Sequence, residues 1–382
     1  MTTARPVATD GCCGSVPVDT SRVGHVALTR LALLALPLAA LQAACGGTGG
    51  GSTRGDRSHV LSPRAAIAFT RVRTGSEPAY DVATADSVGR QVRVLSGNSR
   101  AATVVPVLGT RPAWSPDARE LAFSGRLPSQ ARNSRTSDIY VLSEQGEMRR
   151  ITKAGVAGAP VWSPNRRAIV FSRREGLAAT LWMVAPTGGK LRRLTAPKKR
   201  RFDEAESVFP DGKKLLVERV TCGAIRHGFC TSSTSAAYVT DMHGNYGTLV
   251  ATGAETASLS PNGARIAFVS SRDRNGSLSY GETTIRAREL YVADVDGTHR
   301  RRLTRTRNIN ERFPSWSADG KRIAFQRGQV TGDAEATSIW ETDAEGTCAR
   351  PLLEDPKLET WYGAPAWRPR VAEEVDGEPL RC

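Results

Sequence analysis

Side chains able to do catalysis or hold a metal are few in this chain, and their spacing does not bring them together. The five histidines are His25, His59, His227, His243 and His299. A zinc site takes three or four His, Cys or carboxylate ligands that converge, and these histidines are scattered along the whole chain. The segment Asp294-Val-Asp-Gly297 opens like a calcium loop, but the later ligands and the distal glutamate are missing. It reads as a hairpin turn. No Gly-x-Ser-x-Gly nucleophile elbow occurs, and neither does a glycine-rich phosphate loop or dinucleotide fingerprint. Glu206 and Glu311 would serve general acid–base chemistry only if the fold placed them together. These residues predict a binding protein with no catalytic residue, no metal and no cofactor.

The elements that position any functional surface come from a repeat. Aligned segments run Pro112–Phe123 (PAWSPDARELAF), Pro160–Phe171 (PVWSPNRRAIVF), Ser207–Val217 (SVFPDGKKLLV), Ala257–Phe268 (ASLSPNGARIAF) and Pro314–Phe325 (PSWSADGKRIAF). A truncated copy is Pro365–Arg370 (PAWRPR), and a degenerate one runs Val60–Phe69 (VLSPRAAIAF). Anchors at Val60, Trp114, Trp162, Val208, Leu259, Trp316 and Trp367 are spaced 54, 48, 46, 51, 57 and 51 residues apart. Within each interval a short apolar strand meets a Ser-Pro-Asp-Gly-like turn, whose residues favour tight reversal. A second strand follows, then a variable loop, then an aromatic and β-branched strand such as Leu290-Tyr-Val-Ala293. A glycine-containing turn and a strand ending Arg-Leu-Thr complete the unit, as at Arg302-Leu-Thr304. Four short strands per interval make one propeller blade. The fold class is therefore all-β, a six-bladed β-propeller. Too few residues follow Trp367 for another blade, so the C-terminal segment around it is expected to close the ring by joining the first blade.

The region before the repeat reads as an export signal. The run Leu31–Leu41 (LALLALPLAAL) is apolar and too short to span a bilayer. Arg22 and Arg30 precede it, and the small residues Ala43 and Ala44 follow. Leu41-Gln-Ala-Ala-Cys45 resembles a bacterial lipobox, although Gln42 departs from its pattern. The resemblance implies that Cys45 carries lipid. Residues 1–44 are read as a lipoprotein-type signal peptide, 45–58 as a flexible Gly/Ser-rich tether, and 59–382 as the propeller. For an exported chain the remaining late cysteines read as two disulfides, Cys222 with Cys230 and Cys348 with Cys382.

The WSPDG, IAF and RLT strings resemble the repeats of the TolB-like propeller over roughly residues 60 to 370. TolB itself has an α/β domain before its propeller, and no such domain fits between Cys45 and Val60. The resemblance implies a periplasmic or cell-surface scaffold that binds an envelope protein. A carbohydrate- or cell-wall-polymer-binding propeller, with lyase activity among its variants, is the alternative.

Loop length points to one face. The connections Ser124–Ser137, Glu218–Ala236, Ser270–Arg288 and Gln326–Thr337 are long, whereas the other turns are short. Binding residues concentrate on loops carried by a rigid scaffold. Expected partner contacts are Lys198, Lys199, Arg200, Arg201, Glu311 and Arg312, with Trp361 and Tyr362 as aromatics in a loop before the last strand. The net charge of +15 suits an acidic partner. The remaining expectations are a monomer, no nucleic acid, and membrane contact through the lipid anchor alone.

Overall fold

A computed structural model describes residues 61–369, apart from 63, 74–78, 97–103, 108, 128–135, 154, 227–228, 281–282, 332–333 and 358. Cys45, Cys382 and the export signal lie outside the described residues. All regular structure among the described residues is β-strand, and the fold is an all-β propeller.

The Ser-Pro turns show why the repeat folds as it does. Ser115 Oγ donates to Asp117 at 2.6 Å and accepts from Glu120 N at 2.9 Å. Ser163, Ser260 and Ser317 repeat that pair of bonds with Asn165, Asn262 and Asp319. The residue after the Asp or Asn turns into the left-handed region: Gly263 at φ 74° and Gly320 at φ 69°, but also Ala118 at 59° and Arg166 at 58°. Beyond each turn the second strand carries one aromatic ring inward. Phe69, Phe123, Phe171, Phe268 and Phe325 are all fully buried. The Arg-Leu-Thr ending has a function too. Thr152, Thr195 and Thr304 hydroxyls accept from Ile139, Leu181 and Leu290 N at 2.9, 2.9 and 2.8 Å, holding the third strand.

Hydrogen-bonded sheets do not divide into six equal units, which corrects the expected set of six separate blades. Four sheets hold four or five strands. The first pairs Thr360–Trp367, Ile67–Arg73, Ala79–Ala85 and Arg93–Ser96 in that order, so the last strand of the chain lies antiparallel on the first, Ile67 opposite Trp367. A fifth sheet has eight strands. It joins Ala157–Trp162, Ile169–Glu175, Ala178–Val184 and Arg192–Arg193 to Arg201–Val208, Lys214–Arg226, Phe229–Asp241 and Tyr246–Thr252. The two halves meet at one parallel pair, Ala179 and Phe202. The cause is local: Arg200 N donates to Leu177 O at 2.8 Å and draws the following strand alongside.

The long connections are also more ordered than loops. Glu218–Ala236 lies inside the hairpin Lys214–Arg226/Phe229–Asp241, with two 13-residue strands. Gln326–Thr337 lies inside the hairpin Arg322–Thr331/Ala334–Asp343. Ser270–Arg288 contains a small hairpin of its own, Ser277–Tyr280 with Thr283–Arg286. Cys222 and Cys230 form a disulfide near the tip of the longest hairpin, with Cα atoms 5.6 Å apart. Cys348 is buried and also disulfide-bonded.

Candidate functional site

The first strand of each of the six repeats contributes to one central cavity of about 390 Å³. Ala113, Pro160, Ala205, Ser258, Ser315 and Ala366 line it, one from each repeat. Pro116, Pro164, Pro210 and Pro261, from the turns that follow these strands, line it as well. The cavity thus runs from Gly109 and Thr110, which precede an inner strand, to the prolines of the turns that follow the inner strands.

The walls are set by the repeat anchors. Trp114 Nε1 donates to Ala366 O at 3.1 Å, Trp162 Nε1 to Ala113 O at 3.0 Å, and Trp316 Nε1 to Ser258 O at 3.2 Å. Each indole reaches the inner strand of the preceding repeat, so one side chain both packs the wall and ties neighbours together. Val208 and Leu259 replace tryptophan in two repeats, and there Ser207 Oγ accepts from Leu259 N at 3.2 Å. Trp367 departs from the pattern: its backbone N donates to Ser315 Oγ at 3.0 Å, while its buried indole N–H has no acceptor among the described residues.

One ion pair marks the cavity. Arg111 Nη1 lies 3.6 Å from Glu206 Oε2 and donates to Ala257 O at 3.3 Å. Both side chains are largely buried, and they bring three repeats to one charged spot on a wall that also carries the hydroxyls of Thr110, Ser207, Ser258 and Ser315. Sequence reasoning did not single out Arg111. The recurring Pro-x-Trp before each turn was the available signal, since it marks the inner strand whose neighbours must face the channel.

The residues expected to bind a partner are dispersed. Lys198, Lys199 and Arg200 are exposed. Arg200 donates to Gly223 O at 3.0 Å, and Arg201 pairs with the buried Asp203 at 3.2 Å. Glu311 is buried in the strand Ile309–Trp316. It accepts from Leu290 N at 2.9 Å, from Thr304 Oγ1, and from Arg327 at 3.1 Å. Burial pushes its carboxyl up to about 7, against the opposing charge of Arg327. Glu311 does not line the cavity, so it forms no acid pair with Glu206. Arg312 is buried and paired with Glu335 at 2.8 Å. The loop placement of Trp361 and Tyr362 is corrected: both lie in the strand Thr360–Trp367 and are buried. Trp361 packs on Val72, and Tyr362 O accepts from Thr337 Oγ1 at 2.8 Å. As neighbours in a strand they point to opposite faces, and both faces of this strand are covered, so Trp361 packs with Val72 and Tyr362 with Phe69, which their order in the sequence alone did not show.

TolB from Acinetobacter baumannii superposes with a TM-score of 0.58 at 21% identity, covering 80% of this chain and 67% of its own. The fold is TolB-like. A second structure, assigned as TolB from Agrobacterium tumefaciens, gives a TM-score of 0.52 at 16% identity and covers 80% of this chain and 99% of its own. No family model matches the chain. Among curated proteins, the uncharacterised peptidase YuxL of Bacillus subtilis (strain 168) is 30% identical over 112 residues, 28% of this chain and 17% of that protein. This chain therefore matches well under two thirds of that relative's length. The expectation of a chain that is not an enzyme is corrected by this match, because a curated protein similar to 28% of the chain is named as a peptidase. The physical reason is that a propeller serves as scaffold to many activities, so the lack of a catalytic motif in its repeats does not decide the matter.

Proposed function

We propose that this chain is an exported cell-envelope propeller of six blades, and that its central cavity takes an extended segment of a protein partner. The observation that carries the reading is the convergence of all six inner strands on one cavity holding the Arg111–Glu206 pair. Dividing the eight-stranded sheet at its single Ala179–Phe202 bridge yields two four-stranded blades. With the four sheets of four or five strands that makes six, and the pairing of Thr360–Trp367 with Ile67–Arg73 supports ring closure. Pockets with apolar walls and a few placed polar groups are where ligands gain both area and orientation. A cation and an anion side by side suit the backbone amides and carbonyls of a peptide. The peptidase name of the curated relative favours the same ligand class. The export segment and the TolB-like fold support an envelope location, with Cys45 as the anchor.

The test is quantitative pull-down from envelope extract with Arg111→Met and Glu206→Gln, each checked for an unchanged melting curve. Partner recovery is expected to fall about tenfold or more with either variant, as a buried charged contact is lost. Unchanged recovery with both overturns the cavity as the site.

A further inference from the structure

The positive charge of the chain is not evenly spread. Between Arg166 and Arg201 there are eleven basic residues against the single acid Glu175, a net charge of +10 where the whole chain carries +15. The fold gathers the later part of this segment at one outer corner of the sheet. Arg200 N donates to Leu177 O at 2.8 Å, which sets the exposed run Lys198–Arg200 against the turn after Glu175. Arg193 reaches Glu175 at 2.9 Å, and Arg174 Nε donates to Gly176 O at 3.3 Å. Arg173 and Arg193 hold Trp182 between them, their guanidinium carbons 4.9 and 4.8 Å from the ring centroid. Stacking fixes those guanidiniums in place while leaving in-plane N–H groups to meet phosphate oxygens. Glu175 and Asp203 pair with Arg193 and Arg201, while Lys198, Lys199 and Arg200 stay exposed.

We propose that this corner lies flat against an anionic phospholipid surface and sets which side of the propeller faces the membrane. The inference rests on the export reading above. A membrane is the partner chosen because the apolar run Leu31–Leu41 and Cys45 precede the propeller. From Cys45 to Leu61 the chain spans at most roughly 58 Å, so an anchored propeller stays within reach of its own bilayer. A single Arg–Trp–Arg stack flanked by lysines matches the headgroup zone, where indoles and cationic side chains both gather. Attraction of this kind acts within a Debye length and weakens with salt.

The experiment uses the full chain carrying Cys45→Ser, so that no acyl group contributes, with sedimentation on phosphatidylcholine vesicles made with and without phosphatidylglycerol. Binding is expected only to the anionic vesicles and to be lost on raising salt. The double variant Lys198→Glu/Lys199→Glu is expected to weaken it at least about tenfold. A second double variant, Arg119→Glu/Lys321→Glu, changes net charge equally at exposed turn positions and is expected to bind nearly as wild type. No binding to anionic vesicles, equal loss in both double variants, or tighter binding to short duplex DNA or poly-glutamate than to vesicles each overturns the proposal. Export is read separately, from the compartment in which the wild-type chain is recovered, so the two readings fail independently.

Discussion

The indole N–H of Trp114 donates to the carbonyl oxygen of Ala366 at 3.1 Å, across 252 positions of sequence. It ties the second repeat to the last strand of the propeller, and that strand in turn pairs with the first strand of the propeller, Ile67–Arg73. The start of the propeller and its last strand are thus held at one place, by a ladder and by an indole.

Trp114→Phe keeps an aromatic ring but removes the donor and with it the bond to Ala366 O. A loss of about 1–3 kcal/mol is expected, read as a lower midpoint in denaturant. Truncation after Pro356 removes the whole strand, and the expected outcome is loss of a single cooperative transition. A truncated chain that melts like the intact one would show that the strand contributes nothing to the ring.

Two turn positions are expected to respond with opposite sign. Gly320 has φ 69°, and an added Cβ would meet nothing closer than Pro261 at 3.7 Å, so Gly320→Ala isolates the backbone effect. It should cost about 1–2 kcal/mol. Ala118 already adopts φ 59°, so Ala118→Gly should relieve that strain and leave stability equal or slightly higher despite the looser unfolded chain. Chemical denaturation of both variants decides it.

Stability should fall with rising pH because of Glu311. Its carboxyl is pushed up to about 7 by burial, from an ordinary value of 4.5. Between those values the folded chain holds a proton that the unfolded chain has released. Stability from this group is therefore full below about pH 4.5 and is lost as pH climbs through about 7. Glu311→Gln should remove the dependence, so that its stability relative to wild type improves steadily across this window. A difference that stays flat with pH would contradict this.

The cysteines have distinct fates. Peptide mapping without reduction should recover Cys222 linked to Cys230. Replacing the pair with serine should cost about 2–3 kcal/mol for so short a loop. The same map is expected to link Cys348 to Cys382. Cys45 should be recovered with lipid attached, and Cys45→Ser should move the protein from the membrane fraction to the soluble one.

The amino-acid sequence by itself determined the repeat, the tight turns and the all-β propeller. Those features are local: a Ser-Pro-Asp-Gly turn closes within five residues, and the apolar run after it buries Phe123 or Phe325 wherever the chain goes next. It also determined the pairing of Cys222 with Cys230, which lie eight residues apart. What only the tertiary structure decided depends on distant strands. Glu311, Arg312, Trp361 and Tyr362 are polar or amphipathic residues in segments without a fixed period, and neighbouring strands turned them inward. The join between Ala179 and Phe202 follows from one backbone bond that no pattern announces. Arg111 became a cavity residue because Glu206 and Ala257, 95 and 146 positions away, arrive at the same axis. Short-range chemistry wrote the strands, and packing around a common axis chose which side chains face the channel.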